Sequence, residues 1–233
     1  EQYAPYSAEA RQMISDALEI PYKEAVVTSY DGLRLFGKCY IASADAPWLI
    51  MLHGYRSGAE RDFCGGLKFG IDSGFNVLLV DQRAHGKSRG KYLSLGIKER
   101  RDCRMWVDFL LSRYPNAQIM LYGVSMGAAT VLMATGLEMP ENVHGVMADC
   151  GFTSPHAIWE YITRKNLHMQ FGLKGRMADR ICRRKIHMGA ADYSTVEALR
   201  TTHLPVLFIH GTDDHFVPIE MTYENYKACA GPK

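Results

Sequence analysis

Short apolar runs that end at a polar residue or a glycine dominate the pattern of this chain. They predict buried strands at residues 48–52, 76–80, 118–122, 143–148 and 206–209. Helices are predicted at residues 61–73 and 98–114, the second with four apolar side chains on one face: Cys103, Trp106, Val107 and Leu110. Buried strands that alternate with helices are typical of a parallel sheet covered on both faces, whose chemistry gathers at the carboxyl ends of the strands.

The N-terminal part of the chain predicts an antiparallel hairpin. Residues 26–29 and 33–41 flank Asp31-Gly32, a pair that is typical of a tight turn. The length of 233 residues, with 47% hydrophobic and 22% charged residues, favours a single globular domain. We expect its core at residues 22–154 and 204–233, and a small helical lid at residues 155–203.

Ser125 stands where an apolar strand turns directly into a helix. It is the centre of a Gly-x-Ser-x-Gly sequence at residues 123–127, and the helix predicted after it ends at Gly136. Side chains in place of the two glycines would crowd the backbone of such a turn. The N–H groups at the start of the helix favour the negative charge of an acyl-transfer intermediate, so Ser125 is predicted to be a nucleophile.

A second Gly-x-Ser-x-Gly sequence surrounds Ser88, at residues 86–90. Polar residues precede it and no helix begins directly after it, which indicates a loop. The strand-turn-helix requirement therefore favours Ser125 over Ser88 as the nucleophile.

Further candidates follow other strands of the predicted sheet. The Tyr55 N–H, after His53-Gly54, is expected to form an oxyanion hole with the Met126 N–H; a plain glycine turn is the alternative. An aspartate in residues 210–218 is placed to orient a histidine. Asp149 also ends a strand and is a rival for this role, although a turn or capping carboxylate is the favoured interpretation.

Together these segments resemble the α/β-hydrolase superfamily of serine hydrolases. The resemblance covers about residues 26–218 and implies the α/β-hydrolase fold, with Ser125 as the nucleophile and Asp214, rather than Asp213, as the acid. It also places His85 in a structural loop. The matching residues are His53-Gly54, residues 81–88, residues 123–127 and the pattern His210-Gly211-x-x-Asp214-x-x-Val217-Pro218. Residues 149–154 and the compact lid look most like the serine-aminopeptidase-like and acyl-esterase branch.

This sequence departs from the family pattern at the catalytic histidine. Members of the family carry serine, acid and histidine in this order, and this sequence ends at Lys233, nineteen residues after Asp214. We expect the sequence to be shorter than its gene, lacking the C-terminal strand and helix, because Gly231-Pro232 is typical of a turn within a fold. Two alternatives are a substitute histidine, with His215 the nearest, and a hydrolase-like protein without catalysis.

The predicted function is hydrolysis of small carboxylic esters through an acyl-enzyme on Ser125. A peptidase or amidase of the same fold and a catalytically inactive binding protein are the alternatives. The expected partner is a small-molecule ester or amide, and the chemistry requires no metal or organic cofactor.

A basic stretch lies within the predicted lid. Residues 159–187 hold eight Lys or Arg residues against Glu160 and Asp179, which suits acidic substrates or contact with a membrane surface. The favoured interpretation is a solvated helical face, because apolar residues recur at helical spacing and are expected to point inward. These residues are Trp159, Ile162, Met169, Phe171, Leu173, Met177 and Ile181.

Charge and cysteine usage restrict the function further. A net charge of +2 with scattered Lys and Arg gives no support for a nucleic-acid partner. The six cysteines have neither Cys-x-x-Cys nor metal-ligand spacing, so buried free thiols and a reducing compartment are expected. No membrane span or signal peptide is visible, which predicts a cytoplasmic protein. Because the sequence begins at Glu1, a leader or anchor upstream stays open.

Overall fold

A seven-stranded sheet organises the computed structural model, which describes residues 7–233. The strand order is β1-β2-β4-β3-β5-β6-β7. β1 and β2 form an antiparallel hairpin, β2 pairs antiparallel with β4, and the other pairs are parallel. The strands are β1 (Lys23–Thr28), β2 (Arg34–Tyr40), β3 (Trp48–Leu52), β4 (Asn76–Asp81), β5 (Ile119–Val124), β6 (Val143–Asp149) and β7 (Val206–Ile209).

Helices cover the two faces of this sheet. Along β3, Trp48, Ile50 and Leu52 enter one apolar core, whereas Leu49 and Met51 enter another, as the alternation of a strand requires. Across residues 7–233, no helix combines the length and hydrophobicity that crossing a membrane requires. The helices are α1 (Ser7–Glu19), α2 (Ala59–Asp62), α3 (Cys64–Asp72), α4 (Glu99–Arg113), α5 (Met126–Ala134), α6 (Pro155–Tyr161), α7 (Gly172–Ile186), α8 (Thr195–Leu199) and α9 (Ile219–Ala228), with a π-helical turn at Ile162–Asn166.

The predicted architecture is confirmed in its main elements. β3 and β7 have the predicted bounds, and α4 lies within its predicted range. Gly32 closes the predicted hairpin with a φ of 81°, a conformation that glycine adopts without steric cost. The expected mostly parallel sheet with an N-terminal antiparallel hairpin is therefore present.

One helix prediction needs correction, and one helix was missed. The single helix predicted at residues 61–73 is divided into α2 and α3 at Phe63, whose φ is −115°. The break follows from packing, because the Phe63 ring is buried and meets Tyr122 edge-on, with ring centroids 5.1 Å apart. The helix α1 was missed, and Ala17 is its one buried residue.

The segment between β6 and β7, residues 155–203, is helical as expected, and we call it the helical insertion. The prediction that its apolar residues point inward is wrong for Met169, Leu173, Met177 and Ile181, which are exposed. Instead, the buried residues of α7 are Gly175 and Ile186, and the buried ring of Phe171, the residue that precedes the helix, lies 2.6 Å from where a Cβ of residue 175 would be. Gly175 and Ile186 lie on the side of α7 opposite the apolar row, so that row faces away from the protein.

Candidate active site

Ser125 occupies a strained turn between β5 and α5. Its φ of 55° and ψ of −113° are rare for a residue with a side chain, and such strain is often found at functional positions. A Cβ on Gly123 would lie 2.2 Å from the Gly127 oxygen, and one on Gly127 would lie 1.8 Å from the Leu52 oxygen. The turn is therefore possible only with glycine at both positions, which is what the sequence predicted.

Two backbone N–H groups are available beside Ser125. Among the bonds of residues 7–233, neither the Tyr55 N–H nor the Met126 N–H has an acceptor. Met126 is the first residue of α5, and Tyr55 follows Gly54, where a Cβ would lie 3.4 Å from the Ser125 Cβ. Within residues 7–233, the Ser125 hydroxyl has no hydrogen-bond partner. The backbone N–H of Ser125 donates to the Asp149 oxygen at 2.8 Å.

Asp62 of α2 fixes the loop that carries Tyr55. Its carboxylate accepts the Gly54 N–H at 2.6 Å and the Ser57 hydroxyl at 2.5 Å. The Arg56 N–H donates to His85 Nε2 at 3.1 Å, which joins the same loop to the segment after β4. The sequence analysis did not identify Asp62, because a carboxylate in a helix gives no signal of a distant loop contact.

His53 holds the end of β3 and is not free to act as a base. Its Nδ1 donates to the Gly54 oxygen at 2.8 Å, and its Nε2 accepts the Gln82 N–H at 3.1 Å. Burial lowers the pKa of His53, which favours this neutral form. The Gln82 side chain returns a bond to the His53 oxygen at 2.5 Å, so the end of β4 also supports this loop.

Asp214 is held by the loop after β7. Its Oδ1 accepts the N–H groups of Phe216 and Val217 at 2.8 and 2.9 Å, and its Oδ2 lies 3.4 Å from His210 Nε2. These contacts fix the orientation of the carboxylate at the carboxyl end of the strand. Asp213, in contrast, is exposed and lies 3.1 Å from His215 Nε2.

Asp149 and Cys150 stand at the carboxyl end of β6, which lies between β5, before Ser125, and β7, before Asp214. An open cavity of about 820 Å³ is lined by both residues together with Asn166 and Asp214. Burial raises the pKa of Asp149, and the nearby Asp214 carboxylate acts in the same direction. Burial, aided by the Asp149 carboxylate, raises the pKa of the Cys150 thiol to about 12. Cys150 is therefore protonated at neutral pH and does not compete with Ser125 as a nucleophile.

No histidine within residues 7–233 forms a hydrogen bond with Ser125. His85 donates from Nδ1 to the Arg83 oxygen at 2.9 Å and accepts at Nε2. The side chain of His210 is buried, and its ring nitrogens bond to the Thr222 hydroxyl and the Val217 oxygen at 2.5 and 2.9 Å. His215 is exposed and beside Asp213, so the structure does not support it as the substitute base.

Ser88 has a different role from Ser125. Its buried hydroxyl accepts the Phe36 N–H of β2 at 2.8 Å and donates to the Asp81 oxygen of β4 at 2.5 Å. It therefore joins the end of β4 to the hairpin. Ser88 lies in the loop after β4, as the sequence indicated. Its hydroxyl proton and one lone pair are both used in bonds to the backbone.

The fold and the strained serine turn define the class of protein. Residues 47–181 match the family model described as the alpha/beta hydrolase fold, and the chain belongs to the α/β-hydrolase family. It is 29% identical over 199 residues to the uncharacterized protein YqkD of Bacillus subtilis, a match that covers 83% of this chain and 64% of YqkD. The chain thus spans less than two thirds of the length of this relative.

Solved structures agree with the family. The Pyrococcus furiosus esterase Pf2001 is 26% identical with a TM-score of 0.70, and the match covers 92% of this chain and 79% of the esterase. An acetyl xylan esterase from Paenibacillus sp. R4 is 18% identical with a TM-score of 0.68, and the match covers 99% and 86% of the two chains. At that identity, the second comparison supports the fold alone.

Proposed function

We propose that the complete protein is a serine hydrolase that cleaves small carboxylic esters through an acyl-enzyme on Ser125. The observation that carries this proposal is the strained backbone of Ser125, with an unbonded hydroxyl and the available N–H groups of Tyr55 and Met126 beside it. The similarity to a protein named an esterase supports ester rather than amide substrates. A peptidase or amidase would use the same groups.

The proposed reaction has two steps. A histidine takes the proton of the Ser125 hydroxyl while its oxygen attacks the ester carbonyl carbon, and the Tyr55 and Met126 N–H groups stabilise the oxyanion. The alcohol leaves with that proton. Water then attacks the acyl-enzyme with the same histidine as base, which releases the acid and restores Ser125. Asp214 orients the histidine and stabilises its charged form.

The histidine is the part of this proposal that the described residues do not supply. His53, His85 and His210 use both ring nitrogens in other contacts, and His215 lies beside Asp213. No other described histidine bonds to Ser125 either, and the match covers only 64% of YqkD, so we propose that the base is a histidine beyond residue 233. An α/β-hydrolase that lacks this residue and serves as a binding protein is the second candidate.

Hydrolysis of p-nitrophenyl butyrate by the complete gene product, beside the chain of residues 1–233, tests the proposal. We expect turnover by the complete protein and a loss of about 10⁶-fold in the shorter chain, as when a triad histidine is removed. Equal turnover by both proteins would place the base within residues 1–233. No turnover by either protein, with p-nitroanilide amides also left intact, would favour the binding protein.

The Asp214→Asn variant of the complete protein is expected to lower kcat about 10⁴-fold, because the amide cannot hold the histidine in its reactive tautomer. Asp213→Asn is a control of the same chemistry one residue away, and it is expected to stay within about threefold of the native rate, since Asp213 is exposed. Ester hydrolysis by purified variants measures both. Full activity of Asp214→Asn together with a large loss in Asp149→Asn would transfer the role to Asp149.

A further inference from the structure

The helix α7 exposes a continuous apolar row to solvent. Leu173, Met177 and Ile181 recur every fourth residue, which places them along one side of the helix. They are 66%, 53% and 58% exposed. The segment before the helix has two further exposed apolar residues, Leu167 and Met169. An apolar surface of this length is unusual on a protein that has only water as its neighbour.

The opposite side of α7 makes the contacts with the rest of the protein. Gly175 and Ile186 are buried, and Phe171, which precedes the helix and covers Gly175, meets His156 of α6 edge-on with ring centroids 5.1 Å apart. Ala178 and Cys182, which lie on the same side, are partly buried. The exposed row is therefore not a part of the core that a small rotation would cover.

Basic residues flank the apolar row on both sides. The helix has six Lys or Arg residues and one acidic residue, Asp179. Asp179 is already paired with Arg183 at 2.8 Å, and Arg183 also binds Asp192 at 2.6 Å. Within the part of the chain that the structure describes, the other five basic residues form no salt bridge: Lys174, Arg176, Arg180, Arg184 and Lys185.

An exposed apolar row with unpaired cations beside it has the chemistry of a helix that lies in the interface of an anionic bilayer. We propose that α7 docks the protein on an anionic lipid surface. Leu173, Met177 and Ile181 enter the boundary between headgroups and acyl chains, and the basic residues contact the lipid phosphates. A convex helix fits a planar surface, and the positive charge of the flanks complements anionic headgroups better than it complements neutral ones.

Docking also places the candidate active site near the lipid. Asn166, which directly precedes the exposed Leu167, lines the cavity that contains Asp149 and Asp214. An amphiphilic ester that leaves the bilayer beside α7 would thus reach this cavity without crossing bulk water. This consequence for the substrate rests on the proposed hydrolase function, whereas docking itself does not.

Co-sedimentation with phosphatidylcholine vesicles, with and without about 30% phosphatidylglycerol, tests the docking. The complete protein is expected to bind the anionic vesicles and to release them when NaCl rises from about 0.1 to about 0.5 M. The triple variant Arg176→Gln/Arg180→Gln/Arg184→Gln is expected to bind about 100-fold more weakly, at about fivefold for each basic residue. The triple variant Leu173→Gln/Met177→Gln/Ile181→Gln is expected to lose at least about tenfold.

A matched control alters three exposed apolar residues elsewhere, on α1, α3 and α9: Leu18→Gln/Phe69→Gln/Tyr223→Gln. It is expected to bind like the native protein, and all variants are expected to keep the native melting temperature because the changed residues are exposed.

Equal binding to neutral and anionic vesicles, or native binding by the α7 apolar variant, would overturn the proposal. Absence of vesicle binding, with a dimer that the α7 apolar variant abolishes, would instead assign the row to contact between copies. Ester hydrolysis is measured on a water-soluble ester in parallel, so that loss of docking and loss of catalysis are distinguished.

Discussion

The Ser125→Ala variant of the complete protein is expected to lower kcat for ester hydrolysis about 10⁶-fold. The hydroxyl oxygen is the atom that the proposal bonds to the acyl group, and Cys150, the neighbouring thiol, stays protonated and cannot replace it. Removing the hydroxyl breaks no hydrogen bond among the described residues, and alanine keeps the Cβ. The variant should therefore fold as the native protein does, and its defect should be chemical.

Steady-state hydrolysis of p-nitrophenyl butyrate measures this loss. Ser112→Ala is the matched control, because Ser112 is exposed on α4 and its hydroxyl bonds only within that helix, to the Phe109 oxygen and from the Arg113 guanidinium. It is expected to keep the native rate and the native melting temperature. A Ser125→Ala variant with more than about one thousandth of native activity would be incompatible with an acyl-enzyme on Ser125.

The Gly127→Ala variant is expected to lower the free energy of unfolding by more than about 3 kcal/mol. A Cβ at this position would lie 1.8 Å from the Leu52 oxygen and 2.9 Å from the His53 oxygen. These are backbone atoms of β3 and the loop after it, so no side-chain rotation relieves the overlap. Either α5 moves away from the sheet or the loop that carries Tyr55 is displaced.

Urea unfolding of the two proteins measures the difference. Gly172→Ala is the control, because nothing lies within 4 Å of a Cβ at that position and it is the first residue of α7. That substitution is expected to change the free energy of unfolding by less than about 1 kcal/mol. A Gly127→Ala variant as stable as Gly172→Ala would mean that α5 and β3 are farther apart than described.

Structural features that depend on a few neighbouring residues were predicted correctly. The hairpin follows from Asp31-Gly32, because only certain residues adopt the backbone angles of such a turn. The turn at Ser125 follows in the same way from two glycines between an apolar strand and a helix. In both cases the sequence states a local steric requirement, and the structure meets it at the expected residue.

Contacts between distant segments could not be read from the sequence. The bond from Gly54 to Asp62 depends on how α2 packs, and the break at Phe63 that positions α2 comes from a buried ring rather than from helix propensity. The face of α7 was assigned wrongly for a related reason. Helical periodicity identifies an apolar row, but it does not say which side of the helix is buried, and here the buried Gly175 and Ile186 lie opposite Leu173.

The residues that hold the loop after β3 and the residues that the helical insertion adds to the cavity come from different parts of the chain. Asp62 and His85 hold this loop, and neither belongs to the helical insertion. The insertion, in turn, contributes Asn166 to the cavity. Substitutions in the insertion can therefore change the shape of this cavity while the N–H donors of Tyr55 and Met126 keep their positions. Under the proposed function, substrate preference and oxyanion stabilisation would then depend on separate parts of the chain.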